Sequence, residues 1–479
     1  MTQSLQSLAP LVQTRAGAVK GTSSRGVNRF LGIPYGQAVG EFGAFGALSD
    51  MPAWTGALDC TQTPPVFPQP PSRLASIMGD AIDIHPRSDQ AFNVNVFAPH
   101  GAQGLPVLVF VHGGAFVTGA GGVRWYDGSA LARHSGVVVV TINYRLGVWG
   151  NLIADGAPAN NAVRDVIAAL KWVAANIGAF GGNADNVTLS GQSAGATLSR
   201  LMTLVPEARG LFRRAILLSC PGRIGTTKES AATATARVME LAGVANLREL
   251  AALSPDEVVR ASITAFRETA KTGSILPLFR PMTDGELLHA WMEDSAEAAA
   301  RAHCKDVMIG FTREEMGGFF WKEADTIEHD PDRVLGWYQQ QYGNDGLARY
   351  RQAATRRSHA TAYSQWVDGL SDHTFALPAV EFAATYSNHG TAWLCRFDLQ
   401  TAQPHLYAPH CIDLPFVFNN IDDWHDAPML EGLPGDQVRE LAGRVSNCVA
   451  HYAKHGQPGD DRWVPYTDRT PCIMSFDRA

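Results

Sequence analysis

One serine, Ser193, stands between two glycines in VTLSGQSAGATLS (residues 187–199), at the point where a β-branched run gives way to small, helix-compatible residues. A hydroxyl carried on a sharp strand-to-helix turn is exposed and can act as a nucleophile. Such a turn needs minimal side chains two positions before and after, here Gly191 and Gly195, because strand and helix almost touch there. With 46 glycines in 479 residues, the G-x-S-x-G spacing carries weight only through its context. A serine nucleophile also needs a base to take its proton and N–H donors for the oxyanion it creates. HGGAF (112–116) directly follows an apolar run, and its small residues leave backbone N–H groups open to a substrate oxygen. Gly114, Ala115 and the N–H of Ala194 are therefore the expected oxyanion hole.

The elements that must position these groups can be read from hydrophobic patterning. LPVLVFVHGG (105–114) and GVVVVTINY (136–144) are valine-rich runs that end in turn residues, the pattern of strands buried on both faces. VRDVIAALKWVAANI (163–177) has helical spacing and precedes the strand NVTLS (186–190), giving a βαβ unit and hence an α/β fold. Ahead of it, residues 11–36 read as short strands joined by Gly/Ser turns, a small N-terminal antiparallel meander expected to be an appendage. Alanine-rich helical segments at 228–270 and 331–369 suggest a helical cap, with insertions around 225–280 and 320–390. PPVFPQPPSR (64–73) is a proline-rich loop.

Composition narrows the function classes. With 46% hydrophobic and 18% charged residues the chain is that of a globular protein, and a net charge of −7 without a dense Lys/Arg cluster argues against nucleic acid as a partner. The N-terminus lacks a basic start followed by an apolar stretch, and no later run is long enough to span a bilayer, so a soluble protein is expected. Seven scattered cysteines without C-x-x-C pairs point to buried free thiols in a reducing, cytoplasmic compartment and away from a zinc site; neither a metal nor a cofactor is expected.

The order HGGAF, NYRLG (143–147) and ALKWVAANIGAFGGNADNVTLSGQSAGA (169–196) resembles the type-B carboxylesterase family of α/β-hydrolases. FLGIPYG (30–36), PMTDGELL (281–288) and WVPYTD (463–468) are similar to further family signatures, so the likeness spans nearly the whole chain. It implies one domain over 1–479, built on a central, mostly parallel sheet flanked by helices. It also implies the remaining catalytic residues. In DVMIGFTREEMGGFF (306–320), counting five from Gly310 makes Glu315 the acid, with Glu314 as a surface neighbour. In HCIDLPFVF (410–418) the matching histidine is His410, and His405 does not match. Ser193, Glu315 and His410 lie 122 and 95 residues apart, so only the fold can unite them. AILLSCPG (215–222) resembles the segment with the family's supporting serine, making Ser219 a candidate for hydrogen bonding near the acid.

Several positions depart from the family pattern. Gln192 replaces the usual glutamate beside the nucleophile, removing a negative charge that would attract a cationic substrate. Ala91 replaces a disulfide cysteine, no tryptophan lies between Trp54 and Trp125 to stack on choline, and Met316 replaces a glycine. The implied activity is hydrolysis of small to medium neutral carboxylic esters through an acyl-enzyme. A same-mechanism amidase, thioesterase, lactonase or acyltransferase, or a non-catalytic binding module, are the alternatives.

Overall fold

A computed structural model describes residues 9–222, 225–270 and 273–477; the first eight residues of the N-terminal stretch that lacks a leader pattern lie outside it. The main sheet has ten strands, numbered here in chain order. They are β1 (Thr22–Ser24), β2 (Val27–Pro34), β3 (Asn93–Pro99), β4 (Leu105–Val111) and β5 (Val138–Ile142). The chain continues with β6 (Gly182–Gln192), β7 (Arg214–Leu218), β8 (Val307–Thr312), β9 (Ala392–Phe397) and β10 (Met474–Phe476). Their spatial order is β10-β9-β8-β7-β6-β4-β5-β3-β2-β1. From β5 to β10 all pairings are parallel, and β3, β2 and β1 add antiparallel ladders at one edge.

The central strands are buried on both faces because each packs a separate core. Val107, Val109 and Val111 of β4 face one apolar cluster, while Leu108 and Phe110 face the other. Helix α1 (Asn161–Asn176) closes the first face with Val163, Val166, Leu170 and Val173. Short helix α2 (Ala194–Met202) leaves the end of β6 on the same face. The opposite face is covered by the long C-terminal helix Gly435–His455 through Val438, Leu441, Val445 and Val449.

Two sequence expectations change here. The strand read at 186–190 runs from Gly182 to Gln192, so Gln192 is its last residue. The N-terminal meander is only partly an appendage. Leu11–Gln13 and Ala18–Lys20 form an antiparallel pair joined by Ala57–Asp59, but β1 and β2 extend the main sheet, with Phe30 opposite Val96 and Ile33 opposite Val94. Burial of Val27, Phe30 and Ile33 drives this docking.

Helices fill both expected insertions. The first holds α3 (Lys228–Ala242) and α4 (Pro255–Thr269), whose start is fixed by a reciprocal capping box between Ser254 and Glu257. The second holds α5 (Pro331–Tyr342), α6 (Gly346–Ala354) and α7 (Ala362–Ser371), packed around Trp337, Tyr338 and Trp366. Among the described residues no helix is long and apolar enough to cross a membrane.

Candidate active site

Ser193 occupies the turn between β6 and α2 with φ 56° and ψ −121°, a conformation that costs a side-chain-bearing residue about 1–3 kcal/mol. Its N–H donates to the carbonyl of Leu218 (2.8 Å) and its carbonyl accepts from the N–H of Thr197 (3.0 Å), so the sheet and the helix hold it from both sides. The flanking glycines are needed for space. A Cβ on Gly195 would lie 2.0 Å from the Val111 carbonyl oxygen, and one on Gly191 would lie 2.2 Å from that of Gly195.

The HGGAF turn follows β4 directly. Gly114, Ala115 and Phe116 take φ values of 111°, 54° and 59°, three successive residues in the left-handed half of the map. No acceptor among the described residues takes the N–H of Gly114, Ala115 or Ala194. Such a run of free amides is an anion-binding concavity. Its strain is held by the NYRLG segment: the Gly147 N–H donates to Phe116 O (2.6 Å) and the Tyr144 hydroxyl to His112 O (2.9 Å). The His112 ring stacks on Tyr144 at 4.4 Å, and burial pushes its pKa down to about 4, so it is neutral. NYRLG is itself anchored by fully buried Arg145, bidentate to Asp165 (2.7 and 2.8 Å), with further donation to the carbonyls of Ala44 and Gly46.

His410 and Glu315 meet below the end of β8. The imidazole Nδ1 bonds Glu315 Oε2, both side chains are buried, and the other acid oxygen accepts from the Thr312 N–H at 2.8 Å. A proton on Nδ1 leaves Nε2 as a lone pair, and it accepts from the side-chain amide of Gln192 at 3.1 Å. Burial disfavours the imidazolium, yet neighbouring Cys411 and Glu315 more than offset it, and the pKa of His410 is raised. Ser193, His410, Gln192, Gly114 and Ala115 all line one cavity of about 480 Å³. Glu315 and His410 are thus bonded to each other, and Ser193 shares a cavity wall with His410, whose Nε2 is engaged by Gln192.

This geometry coincides with the result of comparison with known proteins. The profile of the carboxylesterase family matches residues 8–479. The chain belongs to that family. It is an enzyme that hydrolyses carboxylic esters. The para-nitrobenzyl esterase of Bacillus subtilis (strain 168) is 34% identical over 480 residues, 98% of this chain and 94% of its own. A solved PNB esterase superposes with a TM-score of 0.84 at 32% identity, covering 98% of this chain and 96% of its own. A carboxylesterase of Geobacillus stearothermophilus gives a TM-score of 0.82 at 30% identity, covering 98% and 97%.

Other residues of this carboxylesterase correct or extend the sequence reading. Glu314 is no surface neighbour: it is buried, and its carboxylate accepts from Arg357 (2.9 Å), Gln400 (2.9 Å) and the Ala408 N–H (3.1 Å). Its own N–H donates to Ala408 O at 3.1 Å, so it staples the acid loop to the histidine loop. Burial raises its pKa, partly opposed by Gln400 and Arg357. Ser219 does not bond the acid: its hydroxyl has no partner among the described residues, and Glu315 is held by the Thr312 N–H and His410 instead. Met316 is buried in the aromatic cluster of the second insertion, and its N–H donates to Ser371 Oγ (3.0 Å).

Asp413, not singled out by sequence, is buried near the pair, and burial, then Glu315, raises its pKa to about 7. Of the aromatics near strand ends, Phe319 lines the cavity with its ring 5.4 Å from that of His410, whereas Phe116 and Phe320 pack into cores. The proline-rich loop also has a place: Pro68, Pro70 and Pro71 form part of the cavity wall.

Proposed function

We infer that ester hydrolysis proceeds by nucleophilic catalysis at Ser193. The Ser193 hydroxyl attacks the ester carbonyl while His410 Nε2 takes its proton, and Glu315 orients the ring and stabilises the imidazolium. Gly114, Ala115 and Ala194 donate their N–H groups to the oxygen on which charge accumulates. The tetrahedral intermediate then expels the alcohol, protonated by His410, and leaves an acyl group on Ser193. Water, deprotonated by the same imidazole, releases the acid and restores the serine. Because Nε2 is bonded to the Gln192 amide in the free enzyme, that amide must release the lone pair as Ser193 engages it.

The observation that carries this reading is the buried His410–Glu315 bond at the wall of the cavity that also holds the strained serine and the free amides. The lining near Ser193 is mostly apolar, with Val148, Trp149, Leu278 and Phe279, which supports small to medium esters that are uncharged around the reacting bond. α4 also contributes to that lining, supporting a reading of the first insertion as part of a helical cap on a single domain. Cytoplasmic placement rests on the cysteines: all seven are unpaired and six are buried.

The printed name of the Bacillus relative suggests a para-nitrobenzyl ester as a first substrate. A fluorophosphonate should label Ser193 and abolish turnover, and Ser193→Ala should lower kcat by about 10⁶-fold. Turnover that survives the substitution would refute the assignment. The raised pKa of His410 adds a sign: the base works neutral, so activity should fall as pH drops through a value above the usual 6.5.

A further inference from the structure

The cavity carries charge of only one sign. Among its described lining residues the ionisable side chains other than His410, Cys411 and Tyr126 are Arg73 and Arg267, and there is no carboxylate. The protein as a whole is acidic, with a net charge of −7, so two cations on the wall of the cavity that holds Ser193 stand against the general field. The family's glutamate beside the nucleophile is also absent here, replaced by neutral Gln192.

Arg73 ends the proline-rich loop whose prolines form the wall, and its guanidinium lies 5.7 Å from the centroid of the Phe319 ring. That ring lies 5.4 Å from the imidazole of His410, so one aromatic side chain separates the cation from the base. Arg267 sits in the last turn of α4, on the insertion. Neither guanidinium makes a hydrogen bond or ion pair with a described residue. The acid whose charge reaches Arg73 is Glu323, which approaches Arg333 at 3.8 Å. Structural arginines are normally matched by a carboxylate or a set of carbonyls, as Arg145 is. Arg73 and Arg267 are instead solvent-exposed on the wall of the substrate cavity, which leaves five N–H donors each open to water or to an anion that enters.

We propose that this carboxylesterase prefers esters bearing a carboxylate or similar anionic group remote from the reacting bond, with Arg73 as the main recognition residue and Arg267 assisting. The apolar wall takes the chain next to the ester, and the guanidinium of Arg73 takes the anion beyond Phe319. This rests on Ser193-dependent ester hydrolysis at the same cavity and adds the substrate class. The same recognition chemistry serves an acid on the acyl side and one on the alcohol side, and the test separates the two.

The test uses matched pairs that release a chromophore or acid at equal intrinsic reactivity. On the acyl side, p-nitrophenyl hydrogen suberate is compared with its neutral methylamide. On the alcohol side, 3-(4-butyryloxyphenyl)propanoate, whose acid is insulated from the phenol by two methylenes, is compared with its methylamide. In at least one pair kcat/KM for the anion should exceed that for the neutral ester about fivefold at low salt, the scale of a partly exposed ion pair. The preference should shrink towards unity in about 0.5 M salt. Arg73→Gln should remove most of it through KM while leaving the neutral partner within about twofold, and Arg267→Gln should remove a smaller part. A ratio at or below one in both pairs, or a preference untouched by Arg73→Gln, would overturn the proposal. Absence of turnover on all four esters would instead strike the underlying esterase reading, so the two failures are distinguishable.

Discussion

The serine side of the site and the histidine side are held by different physics. Ser193 and the HGGAF turn are fixed locally, by backbone conformations with positive φ and by glycines whose missing side chains let main-chain segments touch. Glu315 and His410 are fixed at long range, by a buried side-chain network in which Glu314 reaches Arg357, Gln400 and Ala408, residues 43, 86 and 94 positions away. The first arrangement tolerates no added atom. The second is sensitive to a lost hydrogen bond.

That contrast can be broken at either end. Glu315→Gln keeps the shape but removes the charge and favours the wrong imidazole tautomer, so kcat should drop by about 10³–10⁴-fold while circular dichroism and the denaturation midpoint stay close to the native values. Gly195→Ala attacks the other side: a Cβ 2.0 Å from the Val111 oxygen must push strand and helix apart. Displacement of the nucleophile by about 1 Å should cost on the order of a hundredfold in kcat, with a lowered thermal midpoint in the same preparation.

Sharper still is Glu314→Ala, because it leaves Ser193 and its turn intact and removes only the staple. The buried Ala408 N–H loses an acceptor, so stability should fall by about 2 kcal/mol in urea titration and kcat by about tenfold, with KM little changed. Gln192 bridges the two sides, being the last residue of β6 and the partner of His410 Nε2. Gln192→Glu would replace a donor to the neutral imidazole with a charge that stabilises the imidazolium. Its active form being neutral, the enzyme should lose activity at higher pH than before, the acid limb of kcat/KM moving up by about one unit. An unmoved limb would mean that the amide does not act on the base.

The same contrast explains what could be read from the chain. The strands β4 to β6, the elbow and the oxyanion turn are local patterns: valine runs that stop at glycines, and small residues at fixed offsets. Nothing local distinguishes His410 from fourteen other histidines, and its identification came from resemblance. Glu314 reads as solvated because it stands beside another carboxylate. Its burial depends on partners that only the folded chain supplies. Likewise the residues 22–34 looked detached, since their pairing partner β3 lies some sixty residues on. Residues 64–73 read only as a loop, because prolines record stiffness but not what they face.

The amide of Ser193 is itself a rung of the central ladder through Leu218. The nucleophile cannot shift without unzipping the middle of the sheet, so accommodation of differently shaped substrates falls to the segments overhead. Exchange of residues 64–74 or 255–279 for those of another member should therefore change which molecules are accepted while the chemistry beneath continues at its own pace.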